Sequence, residues 1–152
     1  MKKHLLTSNK GFTLVELMAV VIIIIILVGL MVFGASYANR KASTEHTAAE
    51  IKTLESALEA YRLDIGTYPT FTPPGNNLGV LLGKYLASWP TSRRTGNQLF
   101  DPFFIAYNYR FPGTINTASP TNGASGGYDL WSSGPNRIND NGGNDDIASW
   151  TR

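Results

Sequence analysis

One stretch limits what this chain can fold into. Residues 17–32 are apolar except for Gly29, and no formal charge occurs between Glu16 and Arg40. A helix needs ~20 apolar residues to cross a hydrocarbon core of about 30 Å, and residues 17–38 supply that length. The rest of the chain is so polar that the mean hydropathy, −0.09, resembles that of an ordinary soluble domain. At 152 residues the chain has room for about one domain besides this segment, which excludes a two-domain enzyme.

The net charge of +2 comes from the start of the chain, where Lys2, Lys3 and Lys10 carry three of the 13 basic residues. Without residues 1–11 the balance is −1, so the basicity is no nucleic-acid footprint, which needs Lys and Arg clustered on a folded face. Basic residues beside an apolar span stay cytoplasmic, which places the later chain across the inner membrane, on the periplasmic side. A cleaved secretory signal peptide is the plainer alternative, but its apolar core is shorter, about 7 to 15 residues. With no Cys, a disulfide scaffold, a thiolate zinc site and a cysteine nucleophile are excluded. His4 and His46 both fall outside the candidate folded domain, which leaves little for a His-based catalytic dyad or zinc site. Gly-Ala-Ser-Gly-Gly at 123–127 lacks nucleophile-elbow spacing, and Gly142-Gly143 has no Lys-Ser/Thr partner for phosphate. No enzyme is expected.

No Pro interrupts residues 12–65, which read as one helix of about 80 Å at 1.5 Å per residue. Ile51, Leu54, Leu58, Tyr61 and Ile65 form an apolar stripe at helical spacing, with Glu50, Lys52, Glu55, Glu59 and Arg62 assigned to the other faces. Gly66, reinforced by Pro69, is the expected stop. Beyond it, Gly and Pro clusters mark loops, with one short helix expected over 78–86 and strands over 103–111 and 128–132. Trp89, Trp131 and Trp150 are expected to pack, and His46 to be solvated. The predicted organisation is a leader (1–11), a membrane-crossing helix (12–39), an amphipathic continuation (40–66) and a small domain of sheet and loops (67–152), an α+β fold.

Glu16 lies directly before the apolar run, where an ionisable group is costly, by about 2.5 to 3.5 kcal/mol at a bilayer's centre, and usually has a partner. It closes the unit Gly11-Phe12-Thr13-Leu14-Val15-Glu16. This unit, behind a short basic leader and ahead of an apolar helix, resembles the prepilin-type signal of type IV pilins and type II secretion pseudopilins. The resemblance implies cleavage between Gly11 and Phe12 by a prepilin peptidase, N-methylation of Phe12, and assembly into a helical homo-oligomer. Glu16 would then be an assembly residue, since a cationic Phe12 amine packed among like helices needs a counter-charge in low dielectric. Many relatives carry Pro where Phe33 stands, so any kink on assembly would use Gly29 or Gly34.

The later chain resembles the major pseudopilin branch of type II secretion, at residues 63–70, Asp101-Pro102-Phe103, 107–113, 128–134, Asp145-Asp146-Ile147 and Ser149-Trp150. Residues 71–100 and 114–127 match it poorly. The implied fold is type IV pilin-like, a long helix packed on a small antiparallel sheet. The implied role is a structural subunit of a periplasmic pseudopilus, working with an inner-membrane platform protein, an assembly ATPase and minor pseudopilins. A surface type IV pilus subunit is the alternative, disfavoured by the missing Cys; a membrane-anchored enzyme or binding domain is a third. Residues 136–146 (NRINDNGGNDD) collect Asp140, Asp145 and Asp146 among Asn and Gly. By composition this is a solvated turn cluster or a calcium loop of hard oxygen donors, without EF-hand spacing. The resemblance implies calcium, with ligands from the Ser133 carbonyl, Asn136, Asp145 and Asp146, and with Asp140 as compensation for Asn136, where relatives have Asp.

Overall fold

The computed structural model describes residues 11–71, 77–115 and 127–150. Helix α1, Leu14–Ile65, is followed by 3-10 turns at Leu78–Leu81 and Thr91–Arg93 and by strands β1 (Arg94–Thr95), β2 (Gln98–Leu99), β3 (Asn108–Arg110), β4 (Asp129–Ser132) and β5 (Ile147–Ala148). The chain divides into two compact units, Met1–Asn39 and Arg40–Arg152.

In the first unit α1 is uninterrupted through Gly29 and Gly34, neither of which has any atom within 4 Å of a would-be Cβ. Its most apolar window has a mean hydropathy of 3.2, and among the described residues none of that window is buried. An apolar surface left uncovered among the described residues is stable in lipid or among like helices.

In the second unit α1 ends where expected. Gly66 has φ +89° and its N–H donates to the Arg62 carbonyl at 2.8 Å, a left-handed closure that a side chain would disfavour. Ile51, Leu54 and Leu58 are fully buried against Leu78, Leu81, Leu99, Tyr107, Tyr128 and Leu130. Tyr61 is only partly buried, while Ile65 stays 54% exposed, because the helix stops beside it before the core reaches that far.

Two antiparallel sheets complete this unit, β1-β2 and β3-β4-β5. Tyr109 faces Leu130 across β3 and β4, and Trp131 faces Ala148 across β4 and β5. The strand expected over 103–111 shrinks to the three residues Asn108–Arg110. Asp101, wholly buried, accepts at Oδ1 from the N–H groups of Phe103 and Ile105, both at 2.9 Å. That takes the donors a ladder would use and folds 101–105 into a turn, bridged at its base by Phe100 and Ala106. The expected helix over 78–86 is likewise one 3-10 turn, whose end bridges Leu82 to Leu86.

Glu50 corrects the helical-face assignment. Its side chain is only 11% exposed, and it receives the Arg93 guanidinium through both terminal nitrogens and the Tyr107 hydroxyl at 2.8 Å. The Glu50 carboxylate in turn raises the Arg93 guanidinium further above its ordinary range. His46, on the next turn, is 59% exposed with Nδ1 3.2 Å from the same carboxylate.

Removing one partner of a buried pair strands the other charge, at about 3–5 kcal/mol. Glu50→Ala is therefore expected to lower the melting temperature of the second unit sharply, whereas Lys84→Ala, which breaks the exposed Lys84–Asp64 pair, leaves it nearly unchanged. Thermal denaturation followed by circular dichroism checks the contrast.

Candidate functional site

The start of α1 is built by two side chains. Thr13 N–H and Oγ1 both donate to Glu16 Oε2 at 2.9 Å, and Glu16 N–H donates back to Thr13 Oγ1 at 3.2 Å. This is a reciprocal capping box, which satisfies donors that the first helical turn leaves unpaired. Both bonds to the carboxylate fall on Oε2. Gly11 and Phe12 precede the cap outside any helix or strand and are exposed, Phe12 by 81%. Among the described residues nothing lies within 4 Å of a would-be Cβ on Gly11, and its φ is not in the left-handed region.

The acidic loop follows β4. Asp140, Asp145 and Asp146 each offer a carboxylate oxygen, all within 4.8 Å of one another. Asp146 Oδ2 accepts from the N–H groups of Asp140 (2.9 Å) and Gly142 (2.8 Å), and Asp145 Oδ2 accepts from Asn136 N–H at 3.0 Å. The other oxygens, Oδ1 of Asp145 and Oδ1 of Asp146, are buried without a hydrogen-bond partner. Burial pushes the Asp146 carboxyl above its usual range, and the charges of Asp140 and Asp145 add to the push. Unpartnered buried carboxylate oxygens crowded by like charge are costly. The donor set fits a hard divalent cation.

The neighbouring residues show how the loop keeps this shape. Gly134 has φ +63°, and a Cβ there would lie 2.1 Å from the Asp145 carbonyl. Gly142 has φ +81°, and its would-be Cβ meets the Trp150 ring at 2.3 Å. Trp150 packs edge-on against Trp131, and Trp131 Nε1 donates to Asn139 Oδ1 at 2.9 Å. The tryptophans that sequence reasoning assigned to plain packing thus brace the loop from inside. Asn141 and Asn144 take the left-handed backbone that Asn tolerates better than most residues.

Of the sequence-predicted set, Asp145, Asp146 and Asp140 come together. Ser133, directly after β4, is buried. Asn136 Oδ1 already accepts from Ile138 N–H at 2.6 Å. The Thr13–Glu16 box went unread although its Thr-x-x-Glu spacing stood in the sequence.

A family model of the type II secretion system (T2SS), protein G, matches residues 36–150, and one of the prokaryotic N-terminal methylation motif matches residues 6–32. The chain is 36% identical over 149 residues to the type II secretion system core protein G of Klebsiella michiganensis, covering 95% of this chain and 94% of that one. It is 34% identical over 153 residues to the Escherichia coli protein of that name, covering 94% and 92%. For the Pseudomonas aeruginosa protein of that name the identity is 32% over 149 residues, covering 94% and 96%. No solved structure shows a significant match.

Because Gly134 combines a left-handed backbone with a contact no Cβ can make, Gly134→Ala is expected to destabilise by at least ~1–3 kcal/mol. Gly83→Ala, with a similar φ of +89° but open space around it, should cost less. Chemical denaturation of the two variants compares them.

Proposed function

The chain belongs to the type II secretion system protein G family, and on that premise we propose how its own residues serve a subunit of the pseudopilus, the filament of that system. The family is one of structural subunits, and its N-terminal methylation motif marks a subunit processed by prepilin peptidase. Anchoring in the inner membrane followed by residence in a periplasmic filament fits the apolar first half of α1.

In the finer reading, the peptidase cuts the exposed Gly11–Phe12 bond on the cytoplasmic face and the Phe12 amine is methylated. The capping box keeps Glu16 Oε2 turned onto its own helix end, and Oε1 accepts the cationic amine of Phe12 from a neighbouring copy. In a medium of low dielectric a lone charge is expelled while a pair is tolerated, so the contact fixes register between helices. An assembly ATPase, acting through a platform protein, lifts each subunit from the bilayer, and minor pseudopilins complete the filament. The surface of residues 17–32 passes from lipid to packed helices, so the transfer exposes little apolar area to water. The observation that carries this reading is the capped, uncovered apolar helix lying directly behind an exposed Gly-Phe bond.

The acidic loop serves as a calcium site in the same reading. Asp145 and Asp146 would hold the ion through their unpartnered oxygens, with Asp140 supplying the third carboxylate that Asn136 does not, and with the Ser133 carbonyl and Asn136 as further oxygen donors. Bound calcium would supply the positive charge that offsets three clustered carboxylates. Around it, Trp131, Trp150, Gly134 and Gly142 hold the loop in place.

Two measurements test these roles. Co-expression with a prepilin peptidase is expected to give a mass loss equal to residues 1–11 plus the gain of one methyl group, and Glu16→Ala is expected to be cleaved yet fail to assemble; an uncleaved wild-type chain, or normal filaments from Glu16→Ala, would contradict them. For calcium, the 40–152 fragment after chelation should melt several degrees higher in millimolar calcium, since a ligand at 100 times its Kd adds about 2.7 kcal/mol. Asp146→Asn should abolish the rise, and an absent rise in the wild-type fragment would sink the calcium assignment.

A further inference from the structure

Two open grooves flank α1 within the second unit. One, of about 420 Å³, runs beside Ala42, Ser43 and His46 and is bounded by Phe104. The other, of about 530 Å³, runs beside Thr44 and Ala48 and is walled by Pro135, Ile147 and the acidic loop. At 3.6 residues per turn, or about 100° per residue, these two sets of helix residues point in nearly opposite directions.

Phe104 is unusual in two independent ways. The residue is 63% exposed and belongs to no part of the core, and its backbone sits at φ +63°, a region that bulky residues avoid. The conformation is imposed from below. Asp101 holds the turn through its carboxylate bonds to Phe103 and Ile105, through the Phe104 N–H donating to its carbonyl at 2.9 Å, and through its own N–H donating to the Ile105 carbonyl at 2.9 Å. Its second carboxylate oxygen accepts the Ser132 hydroxyl at 2.5 Å. Strain kept in an over-determined setting is a mark of use; here it presents an aromatic ring to the outside on a rigid base.

A helical filament of identical subunits needs contacts between two different patches of the same chain, a projection on one side and a recess on another. We propose that Phe104 of one subunit seats in the groove between α1 and the acidic loop of the next copy, against Ala48, Pro135 and Ile147. The recess is large enough, since a cavity of about 150 Å³ already takes a benzene ring, and it offers Ala48, Pro135 and Ile147 as apolar walls beside the polar Thr44, Glu45 and acidic loop. Asp145 and Asp146 line this same recess and belong to the carboxylate cluster, so ordering of that loop by a cation shapes the receiving surface for the neighbour. The contact rests on the filament reading above and adds to it a specific pair of surfaces in the second unit.

The test uses the full chain expressed with the assembly components of a type II secretion system. Phe104→Gly removes the ring and relieves the backbone, so the melting temperature in detergent should rise by about 5 °C while filament yield falls at least ~tenfold, as for loss of an interface anchor. A second variant carries photoreactive p-benzoylphenylalanine at position 104, which keeps an aromatic ring; illumination of its filaments should link it to residues 44–48, 135 or 144–147 of a neighbouring copy. Wild-type filament yield from Phe104→Gly, or cross-links only to other regions, overturns the contact and leaves the filament reading standing. Absence of filaments from the wild-type chain overturns the filament reading, and the contact with it.

Discussion

The buried ion pair between Glu50 and Arg93 is the contact on which the second unit depends. Its strands run from two to four residues, too short for ladder hydrogen bonds to hold the segments after α1 in place. Carboxylates do that work instead. Glu50 ties the helix to Arg93 and Tyr107, Asp101 closes its own turn and reaches Ser132, and Asp129 Oδ2 accepts from the N–H groups of Thr114 and Ile115 at 2.7 and 3.0 Å. Buried Asp and Glu are tolerated only when hydrogen-bonded, and here they stand in for a larger sheet.

These anchors form a connected series. Arg93 also donates to the Phe100 carbonyl at 3.3 Å, one residue before Asp101, and Ser132 Oγ, which donates to Asp101, accepts from the Gly134 N–H at 3.1 Å. Gly134 in turn lies against the Asp145 backbone. The side of the helix that holds the pair is thereby linked through side chains to the turn that presents Phe104 and to the loop that gathers three carboxylates. Two surfaces on opposite sides of α1 share one internal frame.

Much of this was legible in the sequence where the signal is local. The apolar run, the Gly66 stop, the stripe of Ile51, Leu54 and Leu58, and the motif at 11–16 all follow from spacing along the chain. The membership in a pseudopilin family rests on residues 36–150 as well as on that motif. What escaped was decided by partners distant in sequence. Glu50 lies four residues before Leu54, on the buried face, but Arg93 and Tyr107, 43 and 57 positions away, make that position tolerable for a carboxylate. The strand over 103–111 looked plausible from its aromatics, yet Asp101 takes its donors. Likewise, the three aspartates could be named from composition, whereas their two orphaned oxygens and the tryptophan brace required a folded loop.

The stem that Asp129 holds has a consequence for how such a chain can vary. Gly113 N–H donates to the Gly127 carbonyl at 2.7 Å, and with Thr114 and Ile115 fastened to Asp129 the two ends of the intervening segment are fixed to each other by groups that lie outside it. Lengthening a connection whose ends are already joined costs little, about 0.6 kcal/mol per doubling. The pairing of β3 with β4 is therefore set by Gly113, Gly127 and Asp129 themselves, independently of the chain that joins them.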